Sequence, residues 1–85
     1  MYNFTKNDFL ILRAVFKRQA TTSMFSIPIK TIEEDTKLSS VKIRGTLKMF
    51  IDEGNLKLGY RKVNAQTFYI TLEGINKFNE VMGGN

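Results

Sequence analysis

LSSVKIRGTLKMFIDEGNL, residues 38–56, has the features of one complete helix. Ser39 suits the N-cap position, because its hydroxyl can accept a hydrogen bond from a backbone N–H group of the first turn. Gly54 suits the left-handed position that often follows the last turn of a helix. The stretch therefore predicts a helix over residues 40–53.

This predicted helix has two chemically different faces. At about 100° per residue, its large apolar residues fall within roughly 60° of one another. They are Ile43, Leu47 and Phe50. The opposite side carries cations, and no acidic residue occurs between Lys37 and Ile51. We expect one side to pack in a core and the other to face a polyanion.

The charge of the whole chain points the same way. The 85 residues are enough for one small domain, and they carry 13 Lys and Arg against 8 Asp and Glu, a net charge of +5. A strongly basic balance favours nucleic acid or an acidic surface as partner. A basic domain that charge merely keeps soluble is the alternative.

The absence of certain residue types excludes other functions. The chain has no cysteine and no histidine, so it lacks thiolate ligands and the commonest general base and metal ligand. No glycine-rich phosphate loop is present, and we expect no catalysis, no metal and no cofactor. No run of 18 apolar residues and no leader-like N-terminus occurs, so we expect a cytoplasmic protein without a membrane partner.

The N-terminal part predicts a first helix over residues 6–20. Thr5 and Asp8 have the spacing of a capping box, and Phe4 and Phe9 that of a hydrophobic staple. The apolar residues that follow recur at three-and-four spacing and are interpreted as core. They are Phe9, Leu12, Val15 and Phe16.

A second, shorter helix is predicted over residues 30–37. The preceding segment, residues 24–29, alternates weakly and contains Pro28, so it can form at most a short edge strand. Adjacent carboxylates at 33–35 are expected in or near the first turns, as a solvated face rather than a catalytic or metal site. Only Lys37 and Leu38 separate this helix from the cap at Ser39, which predicts a helix-turn-helix. An ordinary helical hairpin is the alternative.

The C-terminal part predicts a β-hairpin over residues 55–71 and a helix over residues 72–82. Apolar and polar residues alternate along 56–60 and again along 68–72, with Asn64 as a turn residue. The tip carries Arg61 and Lys62. Thr71 suits the N-cap of the last helix.

In its element order, the chain resembles winged helix-turn-helix proteins, an α+β, mainly α fold with a three-helix core, a two-stranded β-wing and a C-terminal helix. Leu47, Phe50 and Gly54 match the usual spacing of the reading helix in that superfamily. YITLEG, with Thr71 and Gly74, resembles the T-x-x-G junction after the wing in small MarR-like and PadR-like regulators.

This resemblance implies a small transcriptional regulator that binds double-stranded DNA without a small-molecule ligand, with the reading helix in the major groove and the wing on the backbone or minor groove. The implied DNA-binding residues are Ser39, Ser40, Val41, Lys42, Arg44, Gly45, Lys48, Arg61, Lys62 and Asn64. Independently, Arg44 or Lys42 can donate to guanine O6 and N7, and Val41 can meet a thymine methyl. Gly45 permits close approach to DNA or to another helix, although a merely tolerated glycine fits equally well.

Two further expectations concern partners. One such module buries little surface on DNA, so we expect a homodimer through apolar residues of the terminal helices. These are Phe4, Phe9, Ile75, Phe78, Val81 and Met82. The alternative function is a winged-helix protein-interaction module or a replication or partition accessory protein of a phage or plasmid. A protein-binding form would expose Val41, Met49 or Tyr60 as a patch beside few cations.

Overall fold

The computed structural model describes residues 5–62 and 65–83, which form four helices and a small antiparallel sheet. The helices are α1 (Lys6–Lys17), α2 (Ile29–Thr36), α3 (Ser40–Asp52) and α4 (Leu72–Gly83). The strands are β1 (Ile27–Pro28), β2 (Leu56–Leu58) and β3 (Thr67–Ile70), and a 3₁₀ turn covers Ser23–Phe25. The predicted α+β, mainly helical, winged helix-turn-helix fold is confirmed.

The start of each long helix is fixed by the capping residue that the sequence indicates. Thr5 and Asp8 form the reciprocal capping box of α1, with N–H to oxygen distances of 3.1 and 3.0 Å. The Ser39 hydroxyl accepts from the backbone N–H of Lys42 at the start of α3, and the Thr71 hydroxyl accepts from that of Gly74 at the start of α4. Phe4, the other half of the expected staple, lies outside the described residues.

The first helix ends earlier than predicted, at Lys17 rather than near residue 20. Gln19 adopts a left-handed φ of 58°, which turns the chain away from the helix. Ala20 is then fully buried, and its carbonyl oxygen accepts a hydrogen bond from the Ile70 N–H at 2.7 Å. The early end of α1 therefore leaves the Ala20 carbonyl oxygen free of the helix, so that it can accept the hydrogen bond from β3.

The second helix also differs in its details. It runs one residue earlier at each end than predicted, and none of its acidic residues lies in the first turn. Lys37 closes it with a left-handed φ of 63°, and its N–H donates to the Glu33 carbonyl oxygen at 2.8 Å. This backbone conformation makes the tight turn between α2 and α3.

The sheet has three strands in the order β1, β3, β2, whereas the predicted wing had two. The short edge strand expected before α2 pairs with β3, with Ile27 opposite Phe68. On the other side of β3, Leu56 is opposite Ile70. Apolar alternation overestimated burial here, because Leu58 and Tyr60 of the hairpin are exposed to solvent. Leu72, which the alternation places next in line, is the exposed first residue of α4.

One apolar core joins the helices to the sheet. Its fully buried members come from every helix except α4, which contributes Phe78 at 6% exposure. The Phe78 ring stacks on Phe9 of α1 at a centroid distance of 5.2 Å and packs against Phe16 at 4.9 Å. Among the described residues, no helix is long and apolar enough to cross a membrane.

Candidate nucleic-acid interface

The third helix presents the two faces that its sequence indicates. Ile43, Leu47 and Phe50 are buried in the core. The cations on the other side are exposed to solvent: Lys42, Arg44 and Lys48. Since the buried stripe fixes the rotation of the helix about its axis, these cations are held outward together.

A buried hydrogen bond further fixes α3 against α1. Thr46, whose side chain is buried, donates to the Asp8 carboxylate at 3.2 Å. Asp8 is the same residue that caps α1. The sequence does not indicate this contact. Thr46 lies in the middle of a helix, and the carboxylate that it contacts is 38 residues away along the chain.

The turn before α3 is also tied down by side-chain hydrogen bonds. The Thr36 hydroxyl donates to the Ile32 carbonyl oxygen at 2.8 Å and accepts from the Leu38 N–H at 3.3 Å. These contacts, with the cap at Ser39, set the direction in which α3 begins.

A groove of about 660 Å³ separates α3 from the hairpin. Three cations line it from the two elements: Arg44 and Lys48 from the helix and Arg61 from the hairpin. Apolar side chains, among them Leu47, Ile51 and Phe68, line it as well. None of the described residues that line the groove is acidic, so the charge of its lining is positive.

A buried pair of hydroxyl groups fixes the hairpin where its strands end and its loop begins. The side-chain oxygens of Ser26 and Thr67 lie 2.6 Å apart, and both residues are fully buried. The Ser26 hydroxyl also lies within hydrogen-bond distance of the Ser23 carbonyl oxygen, and the Thr67 hydroxyl within hydrogen-bond distance of that of Tyr60. Gly59 packs against the pair so closely that a Cβ there would lie 2.1 Å from the Ser26 oxygen. Only glycine fits this position without a shift.

The tip of the hairpin is held from a second direction. Lys62 and Ala65 exchange backbone hydrogen bonds of 3.0 and 2.8 Å. The Lys62 ammonium group donates to the carbonyl oxygen of Ser26 at 3.1 Å. Its neighbour Arg61 is exposed and lines the groove. The two cations of the predicted tip therefore have different surroundings.

The far end of α3 is joined to α4 through Thr71. The Thr71 hydroxyl lies 2.6 Å from the Gly54 carbonyl oxygen and 3.0 Å from that of Asn55. Gly54 has the predicted left-handed φ, 83°. Gly74 lies so near the Asn55 carbonyl oxygen that a Cβ would approach it to 2.2 Å. Thr71 and Gly74 of the T-x-x-G junction thus bring the start of α4 against the Gly54–Asn55 turn that follows α3.

The structure brings together part of the set of residues assigned to DNA. Arg44, Lys48 and Arg61 share the groove, and Lys42 extends the basic surface along α3. Nothing lies within 4 Å of the position where Gly45 would carry a Cβ. Asn64 lies outside the described residues.

Exposed apolar side chains occur beside these cations. Val41 is 80% exposed, Tyr60 is 66% exposed, and Met49 is also exposed. These are the side chains that a protein-binding form of the fold would present. Here they are interleaved with Lys42, Arg44, Lys48 and Arg61 rather than separated from them.

The residues assigned to dimerisation are divided between the core and the surface. Phe78 and Phe9 stack inside the protomer, and Ile75 and Val81 are half-buried. Met82 is 55% exposed, and Phe4 lies outside the described residues. The apolar surface left on the terminal helices is therefore smaller than the sequence indicates.

An ion pair between the first two helices lies away from the groove. Arg18, after α1, makes two hydrogen bonds of 2.7 and 2.8 Å to the Asp35 carboxylate of α2. The hydrogen bond from Arg18 is the main cause that lowers the pKa of Asp35, and the same bond raises the pKa of Arg18. Asp35, one of the three adjacent carboxylates, thus joins two helices, and no acidic cluster of the described residues could hold a metal ion.

The fold, the two-faced third helix and the cationic groove define the chain as a winged helix-turn-helix protein. It is 32% identical over 77 residues to the DNA-binding protein TubR of Clostridium botulinum C phage, which covers 91% of this chain and 95% of the relative. The chain belongs to the TubR family. No protein-family model matches it.

Two solved structures agree with this assignment. The solution structure of the DNA-binding TubR fragment from Clostridium botulinum matches with a TM-score of 0.75 and 30% identity, over 94% of this chain and 99% of that one. TubR from Bacillus megaterium pBM400 matches with a TM-score of 0.81 over 92% of this chain and 86% of that one. Its identity is 19%, so this second likeness concerns the fold.

Proposed function

We propose that the protein binds double-stranded DNA sequence-specifically, with α3 in the major groove and the hairpin on the backbone or minor groove. The observation that carries the proposal is the groove in which Arg44, Lys48 and Arg61 converge from two elements, with no acidic side chain among its described lining residues. Such a surface matches the closely spaced phosphates of a duplex. The names of the relatives, which describe a DNA-binding protein and a DNA-binding fragment, support it.

The residues divide into those that position the protein and those that read bases. Ser39, Ser40 and the start of α3 suit phosphate, because hydroxyl and backbone N–H groups donate to it. Arg44 and Lys42 suit guanine O6 and N7, and the exposed Val41 suits a thymine methyl. The open surface at Gly45 lets the helix backbone approach the bases.

We also propose that the protein acts as a homodimer, because a single module of this size buries little DNA surface. Of the residues assigned to the dimer contact, the exposed Met82 and the half-buried Ile75 and Val81 remain accessible on α4. A second surface competes with it, since Val41, the bare Gly45 and Met49 form an apolar line along α3 at intervals of four residues. If another protein binds that apolar line, the chain is a protein-interaction module, which is the alternative function.

These two surfaces can be separated by sedimentation at tens of micromolar protein. If the terminal helices form the dimer, Met82→Glu gives monomers and Val41→Glu does not. The reverse result places the contact on α3 and favours the protein-binding use of that face. A wild-type protein that is monomeric at this concentration contradicts the dimer itself.

In the cell, this activity fits a small non-enzymatic regulator of transcription that acts in the cytoplasm. A replication or partition accessory role is the second candidate, and the phage source of the 32% identical relative favours it. Both roles require the same DNA-binding surface.

The test of DNA binding compares two triple variants that each lose three exposed cations. Lys42→Gln, Arg44→Gln and Lys48→Gln remove the charge of α3, and the matched control removes Lys6, Arg13 and Lys17 of α1 in the same way. We expect the α3 variant to bind a 30-base-pair duplex on the order of a hundredfold more weakly than wild type. The α1 control should lose only a few-fold. Equal losses would mean that the duplex responds to net charge alone, and the proposed surface would be wrong.

A further inference from the structure

We infer that Lys62 is a positioning residue of the hairpin, and that Arg61 is the cation through which the hairpin contacts DNA. The inference rests on the proposed DNA binding and deepens it. Its basis is the difference between two adjacent cations, one of which donates to the Ser26 carbonyl oxygen while the other lines the groove.

The Lys62 contact joins parts of the chain that the sheet alone does not hold together. Ser26 directly precedes β1, which pairs with one edge of β3, while β2 pairs with the other edge. Lys62 follows β2, so its ammonium group crosses from the β2 side of the hairpin to the β1 side. The distance of 3.1 Å is that of a charge-assisted hydrogen bond.

The acceptor is itself held rigidly. Ser26 is fully buried, and its hydroxyl lies 2.6 Å from that of Thr67 in β3 and 2.7 Å from the Ser23 carbonyl oxygen. Gly59 packs against the same residue with no room for a side chain. Because Ser26 cannot move without disturbing β3, a hydrogen bond from Lys62 transfers that rigidity to the hairpin tip.

The hydrogen bond from Lys62 to Ser26, called the clamp below, has a direct consequence for Arg61. Arg61 lies between Gly59 and Tyr60, which the buried hydroxyl pair holds, and Lys62, which Ser26 holds. Its backbone is therefore fixed on both sides, beside the groove that Arg61 lines together with Arg44 and Lys48 of α3. Preorganisation of this kind improves binding because less freedom is lost in the complex.

The two roles predict different salt dependences. A cation that contacts phosphate releases counterions, so its removal lowers the slope of log K against log salt by about one. A cation whose role is only to position the hairpin makes no phosphate contact and adds no counterion release when DNA binds. Its removal should weaken binding by a factor that is the same at every salt concentration.

The experiment compares Arg61→Met with Lys62→Met, neighbouring variants that each lose one positive charge and retain an unbranched apolar stem. In fluorescence anisotropy with a 30-base-pair duplex, Arg61→Met should reduce the slope by about one. Lys62→Met should keep the wild-type slope and bind about three- to tenfold more weakly throughout. A slope reduced by about one in Lys62→Met, with a loss that shrinks as salt rises, would overturn the inference.

A second measurement tests the clamp without DNA. The Ala65 N–H donates to the Lys62 carbonyl oxygen at 2.8 Å, so its hydrogen exchange reports the closure of the hairpin. Exchange at Ala65 should be about tenfold faster in Lys62→Met and unchanged in Arg61→Met. Equal exchange in wild type and Lys62→Met would overturn the clamp, whereas absent DNA binding in the wild type would contradict only the proposed function.

Discussion

The Thr46 hydroxyl donates a hydrogen bond to the Asp8 carboxylate, 3.2 Å away, and both side chains are buried between α3 and α1. Asp8 also accepts from the Thr5 N–H, so one carboxylate starts the first helix and holds the third. This hydrogen bond fixes the rotation of α3 about its axis and its position along α1. The exposed cations of α3 depend on that placement for their common direction.

Replacement of Thr46 by valine should lower the free energy of unfolding by about 1–3 kcal/mol. Valine keeps the shape of the side chain but removes the donor, so a buried carboxylate oxygen loses one of its hydrogen bonds. Urea denaturation of Thr46→Val checks this. Thr46→Ser, which retains the hydroxyl, is the control and should lose less. Identical midpoints for wild type and Thr46→Val would show that the contact does not contribute.

Alanine at two helical glycines, Gly45 of α3 and Gly74 of α4, should have opposite effects. At Gly45 nothing lies within 4 Å of the added Cβ, so Gly45→Ala should stabilise the protein by about 0.5–1 kcal/mol through helix propensity. At Gly74 the Cβ would approach the Asn55 carbonyl oxygen to 2.2 Å, and Gly74→Ala should destabilise by about 1–3 kcal/mol. Thermal unfolding of both variants tests the pair. A destabilised Gly45→Ala would mean that the outer face of α3 is covered.

The ion pair between Arg18 and Asp35 should make stability depend on pH in acid. Arg18 holds the pKa of Asp35 below its ordinary value, so the folded state favours the charged carboxylate. The pair therefore contributes stability above the pKa of Asp35 in the unfolded chain. That contribution is lost as pH falls through the lower pKa of the folded state.

The variant that tests this pair is Asp35→Asn. Its urea midpoint should lie below that of wild type near neutral pH, and the difference should begin to shrink below roughly pH 4 and disappear only below the lowered pKa of folded Asp35. Arg18→Gln should behave in the same way, because it removes the other partner of the same two hydrogen bonds. A difference that grows as pH falls would contradict the assigned direction of the pKa shift.

Arg44 should contribute to base recognition as well as to affinity. Arg44→Ala should cost about 1–3 kcal/mol on the preferred site and relax the preference at one base pair, because a bidentate contact to guanine is lost. The comparison needs a site selected from random duplexes with wild-type protein. Arg13→Ala, which removes an exposed arginine of α1, is the matched control. If Arg44→Ala retains affinity and base preference, α3 does not read the DNA.

The parts of the fold that the sequence predicts are those with local causes. Thr5, Ser39 and Thr71 begin their helices because each cap acts on N–H groups three residues away. The buried stripe of α3 follows from its period of 3.6 residues. Gly54 ends α3 in the left-handed conformation that glycine favours. From these features the winged helix-turn-helix fold and the cations of α3 could be predicted.

The remainder depends on contacts between distant residues. Gln19 and Lys37 adopt a left-handed conformation that neither residue type indicates, and β1 exists because Ile27 meets Phe68. Ser26, Thr46 and Thr67 are ordinary polar residues in the sequence. Their importance arises from partners 38 to 41 residues away, which no local pattern encodes.

The central claim is that α3 and the hairpin form a DNA-binding surface, and the salt dependence of binding tests it most directly. Fluorescence anisotropy with a generic duplex of about 30 base pairs needs no knowledge of the preferred site. With about six phosphate contacts per dimer, log K should fall against log salt with a slope of roughly −5. A flat dependence, or no binding at about 50 mM salt, would contradict the claim and favour a protein partner for the same face.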